Sequence, residues 1–224
     1  MHSSEQEQIE ALKDWWQENG KAVVLGVVLG LGAIFGYRFW DQYTDTRARL
    51  AGGRFTQLMA DLGENKDPAA LRGVIAELRE EHAGTLFAEA AGLVDAKLAV
   101  DEDALEAAAA ALAPLAGEAS EAPLAQLAVL RLATVQLAAG RVEEAGRTLE
   151  ADLPAAYRAR QAELRGDVAR ARGDLAAALA AYDEALAAEL PPPDRMAVEI
   201  KRSEVLQAQR LAAQQERGDD APAS

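Results

Sequence analysis

The sequence predicts an all-α protein in which one N-terminal transmembrane helix precedes a stack of antiparallel helix pairs. Residues 22–37 form an uninterrupted apolar run that is bounded by Lys21 and Arg38. After this run, alanine, leucine, glutamate and arginine dominate, and aromatic residues make up only 5% of the chain. That composition is typical of closely packed helices. Gly, Pro and Asp residues interrupt this part at short intervals, which divides it into amphipathic helices.

The apolar run is long enough to cross a bilayer once its flanking residues are included. Its 16 residues fall short of the roughly 20 that span the hydrocarbon core. However, Lys21 and Arg38 can extend their charged ends to the membrane interface, where Tyr37 and Trp40 are also favoured. Counted from Lys21 to Trp40, the segment predicts one signal-anchor helix that attaches the chain to a membrane.

Three other interpretations of this run compete with an uncleaved anchor. A lipoprotein is excluded because the chain has no cysteine to acylate. A cleaved signal peptide is disfavoured because its leader should be short and basic, whereas the first 20 residues are acidic and no small-residue cleavage site follows. A buried core helix stays open as an alternative, although four glycines would weaken a helix in water more than one in lipid: Gly26, Gly30, Gly32 and Gly36.

The four anchor glycines form two pairs with the spacing that allows close helix packing in membranes. Gly26 and Gly30 form one pair, and Gly32 and Gly36 form the other. At about 100° per residue the two pairs do not share one stripe, so they would suit two different neighbouring helices. The alternative is that the anchor spans the membrane alone and that the glycines are tolerated there without making a helix contact.

Charge near the anchor does not decide its orientation. The amino-terminal side has Lys13 and Lys21, whereas four basic residues follow the anchor: Arg38, Arg47, Arg49 and Arg54. The positive-inside rule therefore mildly favours a cytoplasmic position for the long C-terminal part. Because that rule loses force for long translocated domains, the sequence leaves the topology open.

Composition excludes several classes of function. A net charge of −14 argues against a nucleic-acid partner, which requires a basic surface. The absence of cysteine removes disulfides, zinc thiolates and thiol catalysis, and no catalytic, metal or cofactor motif is present. We expect His82 to be a solvated residue at a helix C-terminus and Asp101, Glu102 and Asp103 to charge and cap the N-terminus of the following helix.

The chain divides into four predicted segments: a cytoplasmic leader (1–20), the transmembrane anchor (21–40), a helical repeat domain (41–212) and a disordered tail (213–224). Gly52 and Gly53 are either a loose helix interior or a hinge. The last helix begins at Asp194 and is expected to cap the stack. The predicted helices of the repeat domain span 53–63, 68–82, 84–100, 103–116, 121–139, 141–152, 155–172, 174–189 and 194–212.

Small and large residues recur at constant spacing in three of the predicted helix pairs. The second and third copies are offset by 33 residues, and the first and second by 37. This pattern is typical of tetratricopeptide repeats (TPRs) and predicts a TPR-like α-solenoid, whose concave face usually contacts peptides or proteins. The alternative is that the pattern is not specific, because any alanine-rich helical hairpin could match so loose a pattern. The repeated positions are Ala96, Ala108 and Leu112, then Ala133, Ala145 and Leu149, and finally Gly166, Ala178 and Tyr182.

The leader and anchor resemble those of YfgM-type proteins, the ancillary single-pass subunits of the bacterial Sec translocon. The resemblance covers nearly the whole chain, although the repeats here are richer in alanine and arginine. It is carried by the glycine-rich helix with two flanking motifs, Glu7-x-x-Glu10-x-x-Lys13-x-Trp15-Trp16-x-Glu18-Asn19-Gly20-Lys21 and Gly36-Tyr37-Arg38-Phe39-Trp40.

The resemblance implies an inner-membrane protein whose amino terminus is cytoplasmic and whose repeats are periplasmic. It implies association with the SecYEG channel and with the PpiD-like membrane-anchored periplasmic chaperone, and assistance to newly exported client proteins. It implies no catalytic residues. We expect the anchor glycines to contact the channel and the concave face to contact the chaperone. A cytoplasm-facing membrane-anchored TPR adaptor in division or signalling is the alternative, and an enzyme is disfavoured because catalytic clusters are missing.

Overall fold

The computed structural model describes residues 3–118 and 122–219, which form α-helices and no β-strand. The all-α prediction is confirmed. The helices are α1 (Ser3–Gly63), α2 (Pro68–Glu81), α3 (Leu86–Asp101), α4 (Leu105–Glu118), α5 (Ala122–Ala138), α6 (Val142–Thr148), α7 (Ala155–Ala171), α8 (Leu175–Ala187) and α9 (Pro192–Asp219).

The chain forms two compact units, Met1–Leu50 and Ala51–Ser224. The first unit consists of the helix that carries the apolar run. The second unit is the repeat domain, which begins ten residues after the predicted boundary at 41. α1 continues through Gly52 and Gly53 without a break, so these glycines belong to a helix interior. A Cβ atom at Gly52 would lie 3.1 Å from the ring of Phe87, which shows that α3 approaches the helix closely there.

The same tight turn joins the two helices of four successive hairpins. In each turn one residue has a positive φ, and the amide of the next residue donates to a carbonyl five positions earlier, as in a Schellman motif. The turn residues are Asn65 (φ 54°), Asp103 (φ 58°), Gly140 (φ 73°) and Gly173 (φ 79°). The hairpins are therefore the end of α1 with α2, α3 with α4, α5 with α6, and α7 with α8.

The hairpin of α1 and α2 was not predicted as a repeat, and the residues of the turn between α3 and α4 were assigned the wrong role. Asn and Asp are the non-glycine residues that best tolerate a positive φ. Asn65 and Asp103 therefore occupy the turn position that glycine occupies in the two later hairpins. The prediction that residues 101–103 cap the following helix is wrong. Asp101 ends α3, Glu102 is its C-terminal cap residue, and the Glu102 carboxylate binds the Arg72 guanidinium at 2.6 Å.

Four interlocking apolar clusters form the core of the repeat domain. Each cluster joins one hairpin to the first helix of the next, from α1–α2 with α3 to α7–α8 with α9. Because successive clusters share helices, the core runs the length of the stack. The first helices α3, α5 and α7 also contact one another in sequence, as expected of a solenoid. α9 packs on α8 and closes the stack.

Glycine allows α7 and α8 to approach each other closely. A Cβ atom at Gly166 on α7 would lie 2.4 Å from Cε1 of Tyr182 on α8. Tyr182 is completely buried, and it packs with Val198 and Val205 of α9 as well as with α7. One large side chain therefore fills the space over a glycine and also holds the last helix.

The C-terminal helix and His82 differ from expectation. α9 extends to Asp219, so residues 213–219, which composition predicts to be disordered, are helical; residues 220–224 lie outside the described range. The outer face of α9 exposes Met196, Ile200 and Leu211 in addition to polar residues. The prediction that His82 is solvated is wrong, because its side chain is buried and its Nδ1 has no hydrogen-bond partner among the described residues.

We predict that Gly166→Ala destabilises the repeat domain by about 1–3 kcal/mol, because the added methyl group overlaps the buried Tyr182 ring. Urea unfolding of the full-length chain in detergent, followed by circular dichroism, measures this loss. Gly73→Ala is the matched control. Gly73 is an exposed interior residue of α2 with no atom near its would-be Cβ, so alanine there should stabilise the helix. Equal effects of the two substitutions would contradict the packing argument.

Candidate functional site

The anchor segment of α1 has the length and composition needed to cross a membrane. Its most apolar 18-residue window has a mean hydropathy of 1.9, and none of that window is buried within the protein. Tyr37 and Trp40 are about 70% exposed, at 71% and 68%, and Lys21 and Arg38 are exposed beside them. The structure thus leaves the apolar surface of this helix free to contact lipid or other helices.

The four anchor glycines are open positions on the helix surface. No side chain lies within 4 Å of a Cβ atom built at any of them: Gly26, Gly30, Gly32 and Gly36. A neighbouring transmembrane helix could therefore approach the backbone at these points more closely than elsewhere on the helix. Among the leader residues whose side chains the structure describes, Trp15 and Trp16 are half exposed.

The residues of the repeat pattern belong to the core and not to a binding surface. The structure brings them together within three of the apolar clusters. Their role is thus to bring helices into contact, and partner binding must use other residues of the same helices. The buried positions are Ala96, Ala108, Leu112, Ala133, Ala145, Leu149, Gly166, Ala178 and Tyr182.

A groove of about 380 Å³ lies along the first helices of three successive hairpins, α3, α5 and α7. Its floor includes Leu93 and Val135 from the core, together with Val100, which is 43% exposed. Three cationic side chains line it: Lys97, Arg131 and Arg160. These side chains share no repeated sequence spacing, so the sequence pattern predicted the first helices as a contact face without identifying the residues.

A partly buried ionic cluster joins α7 to α9 near this groove. Lys201 Nζ on α9 lies 2.7 Å from the Glu163 carboxylate and 2.6 Å from the Asp167 carboxylate, both on α7. Arg160 binds the second oxygen of Glu163 at 2.6 Å, and the Tyr182 hydroxyl donates to Asp167 at 2.8 Å. Each carboxylate is thus shared between two donors, which fixes the last helix against the preceding hairpin.

Burial and hydrogen bonding shift the acid–base equilibria of this cluster. Burial alone would raise the pKa of Glu163, but hydrogen bonds from Lys201 and Arg160 outweigh it and hold that pKa below its ordinary value of 4.5. Burial, reinforced by the hydrogen bond to Asp167, raises the pKa of Tyr182 above its ordinary value. The carboxylate of Glu163 therefore stays ionised and the phenol of Tyr182 stays neutral near pH 7.

Among the described residues, no three His, Asp or Glu side chains converge to hold a metal ion. The polar side chains that do converge, at the α7–α9 cluster, are satisfied by one another. What the second unit offers a ligand is the open apolar groove with its cationic edges.

We predict that Glu163→Gln lowers the free energy of unfolding at pH 7 by about 1–3 kcal/mol, because charge-assisted hydrogen bonds to Lys201 and Arg160 are weakened. The folded-state pKa of Glu163 is depressed, so its stabilisation is complete above about pH 4.5 and is lost as the pH falls through the folded-state value. Urea titrations between pH 7 and acidic pH should show a flatter pH dependence in the variant.

Glu204→Gln is the control for this prediction. Glu204 also bridges α7 and α9, through Arg170 at 3.1 Å, but its side chain is 57% exposed. An exposed pair contributes at most about 1 kcal/mol, so the control should have little effect. A wild-type pH dependence in Glu163→Gln would contradict the role of this carboxylate.

Comparison with known proteins agrees with this architecture. Residues 13–207 match a family described as a tetratricopeptide repeat-like domain. The chain is 31% identical to a Haemophilus influenzae protein named ancillary SecYEG translocon subunit, over 81% of this chain and 88% of that protein. Proteins with the same name from Escherichia coli (31% identity, 86% of this chain and 92% of that protein) and Aggregatibacter actinomycetemcomitans (28%, 81% and 88%) also match.

No solved structure gives a significant match to this chain. Each of the three matches extends over more than four fifths of this chain. The chain therefore belongs to the family that its leader and anchor resemble, the YfgM-type ancillary SecYEG translocon subunits with a tetratricopeptide repeat-like domain.

Proposed function

We propose that this chain is an ancillary subunit of the SecYEG translocon in the bacterial inner membrane. Residues 21–40 would cross the membrane once, with the amino terminus in the cytoplasm and the repeat domain in the periplasm. The observation that carries the proposal is the match to three relatives of that name over most of the chain. The exposed apolar helix and the helical stack supply the two parts that such a role requires.

The repeat domain would act as a protein-interaction module and not as an enzyme. We propose that it links the channel to a PpiD-like membrane-anchored periplasmic chaperone and thereby assists newly exported client proteins. Support comes from the solenoid core, which leaves the solvent-facing side chains of α3, α5 and α7 available for a partner. A cofactor plays no part in this mechanism.

The alternative proposal is a cytoplasm-facing membrane-anchored adaptor in division or signalling. One observation favours it, namely the excess of basic residues on the C-terminal side of the anchor: Arg38, Arg47, Arg49 and Arg54. The two proposals place the repeat domain on opposite sides of the membrane, so a topology measurement separates them.

The absence of cysteine makes single-cysteine labelling a direct test of topology. We predict that Ser203→Cys, at an exposed position of α9, reacts with a membrane-impermeant maleimide in cells whose outer membrane has been permeabilised. Gln17→Cys, at an exposed position of the leader, should react only after the inner membrane is broken. The reverse pattern would place the repeat domain in the cytoplasm, as the alternative proposal requires.

We predict that Gly26→Leu with Gly30→Leu weakens co-purification with SecYEG while leaving membrane insertion intact. The leucines would occupy open positions where a channel helix approaches the backbone closely. Val24→Leu with Val28→Leu is the matched control, because it adds two leucines to the same anchor without removing a small residue. Quantitative immunoblots of affinity-purified channel measure the effect, and equal recovery of both double variants would rule out this contact.

A further inference from the structure

The groove along α3, α5 and α7 concentrates positive charge in a strongly acidic protein. The chain has 37 acidic and 23 basic residues, yet three cations and no carboxylate line this groove. The three cations come from three successive hairpins, so the fold brings together charges that are far apart in sequence. A ligand in the groove would meet positive charge on several sides and apolar side chains beneath it.

The three cations differ in how much of their charge is already compensated. The Lys97 ammonium binds Asp101 at 2.5 Å, and Arg160 binds the buried Glu163. Arg131 is exposed, and among the described residues it has no hydrogen-bond or ion-pair partner. It lies on α5, the middle of the three helices, so its guanidinium is the charge that remains free to bind a carboxylate of a ligand.

Building on the proposed role of the repeat domain as an interaction module, we propose that this groove binds a protein segment in which acidic side chains accompany exposed apolar ones. The apolar side chains would lie on Leu93, Val100 and Val135, and a carboxylate would bind Arg131. The volume of about 380 Å³ is at the small end of ligand pockets, which suits a few side chains and not a folded domain.

Charge complementarity is the reason for this choice of ligand. A basic segment would be repelled by the uncompensated Arg131, and a purely polar acidic segment would leave Val100 exposed to water. Since the remaining surface carries the excess negative charge, an acidic segment would also be directed to this groove and away from other faces.

The test uses the full-length chain in detergent and fluorescein-labelled synthetic peptides, with binding followed by fluorescence anisotropy. One peptide combines leucine and glutamate, a second replaces glutamate by lysine, and a third replaces leucine by serine. We expect only the first to bind, and its affinity should fall as salt is raised. Arg131→Glu should weaken it about tenfold or more, and Val100→Ser should weaken it by a smaller factor.

Arg147→Glu is the matched control, since Arg147 is an exposed arginine on α6 that does not line the groove. Equal affinity for the lysine peptide, or equal effects of Arg131→Glu and Arg147→Glu, would overturn the proposal. Co-purification with SecYEG is measured in parallel on the wild-type chain and on Arg131→Glu. If the wild-type chain co-purifies with SecYEG but does not bind the peptide, only the proposal for the groove is rejected. If the wild-type chain does not co-purify with SecYEG, the translocon role is rejected.

Discussion

Alanine and glycine at the centre of each hairpin allow its two helices to approach until a large side chain from one reaches over the backbone of the other. Gly166 under Tyr182 is the closest such contact, and Gly92 under Leu115 has the same geometry between α3 and α4. In a chain with only 5% aromatic residues, burial depends on this close approach, because few side chains are large enough to fill wider gaps. Each hairpin still leaves one apolar face uncovered, which the next hairpin buries, so the stack follows from the packing of its unit.

Because the small residues of the repeat are buried in the core, the solvent-facing positions of the first helices are free to vary in charge. This division explains how an acidic solenoid can present a cationic groove without weakening its own packing. It also separates two kinds of contact. The anchor would contact a neighbouring helix through the close approach that its glycines allow, whereas the groove would bind a peptide through charge and apolar area.

The last helix is held by ion pairs whose carboxylates are mostly buried. A solenoid end has no further hairpin to bury its terminal face, and here Lys201, shared between Glu163 and Asp167, adds a polar clamp to the contacts of Val198 and Val205 with α8. Such a cluster makes the packing of α9 dependent on pH, since Glu163 must stay ionised for its ion pair with Lys201 to hold.

The sequence by itself determined the anchor, the all-α class and the three later hairpins, because these depend on local hydropathy, helix periodicity and turn glycines such as Gly140 and Gly173. It predicted the two helices of the first hairpin but not that they belong to the repeat, because Asn65 supplies there the positive φ that Gly140 and Gly173 supply in later hairpins. The burial of His82, the position of Glu102 at the end of α3 and the convergence of Lys97, Arg131 and Arg160 were decided only by the tertiary structure. These features depend on which helices become neighbours, and residues about thirty positions apart acquire a common environment only once the hairpins stack.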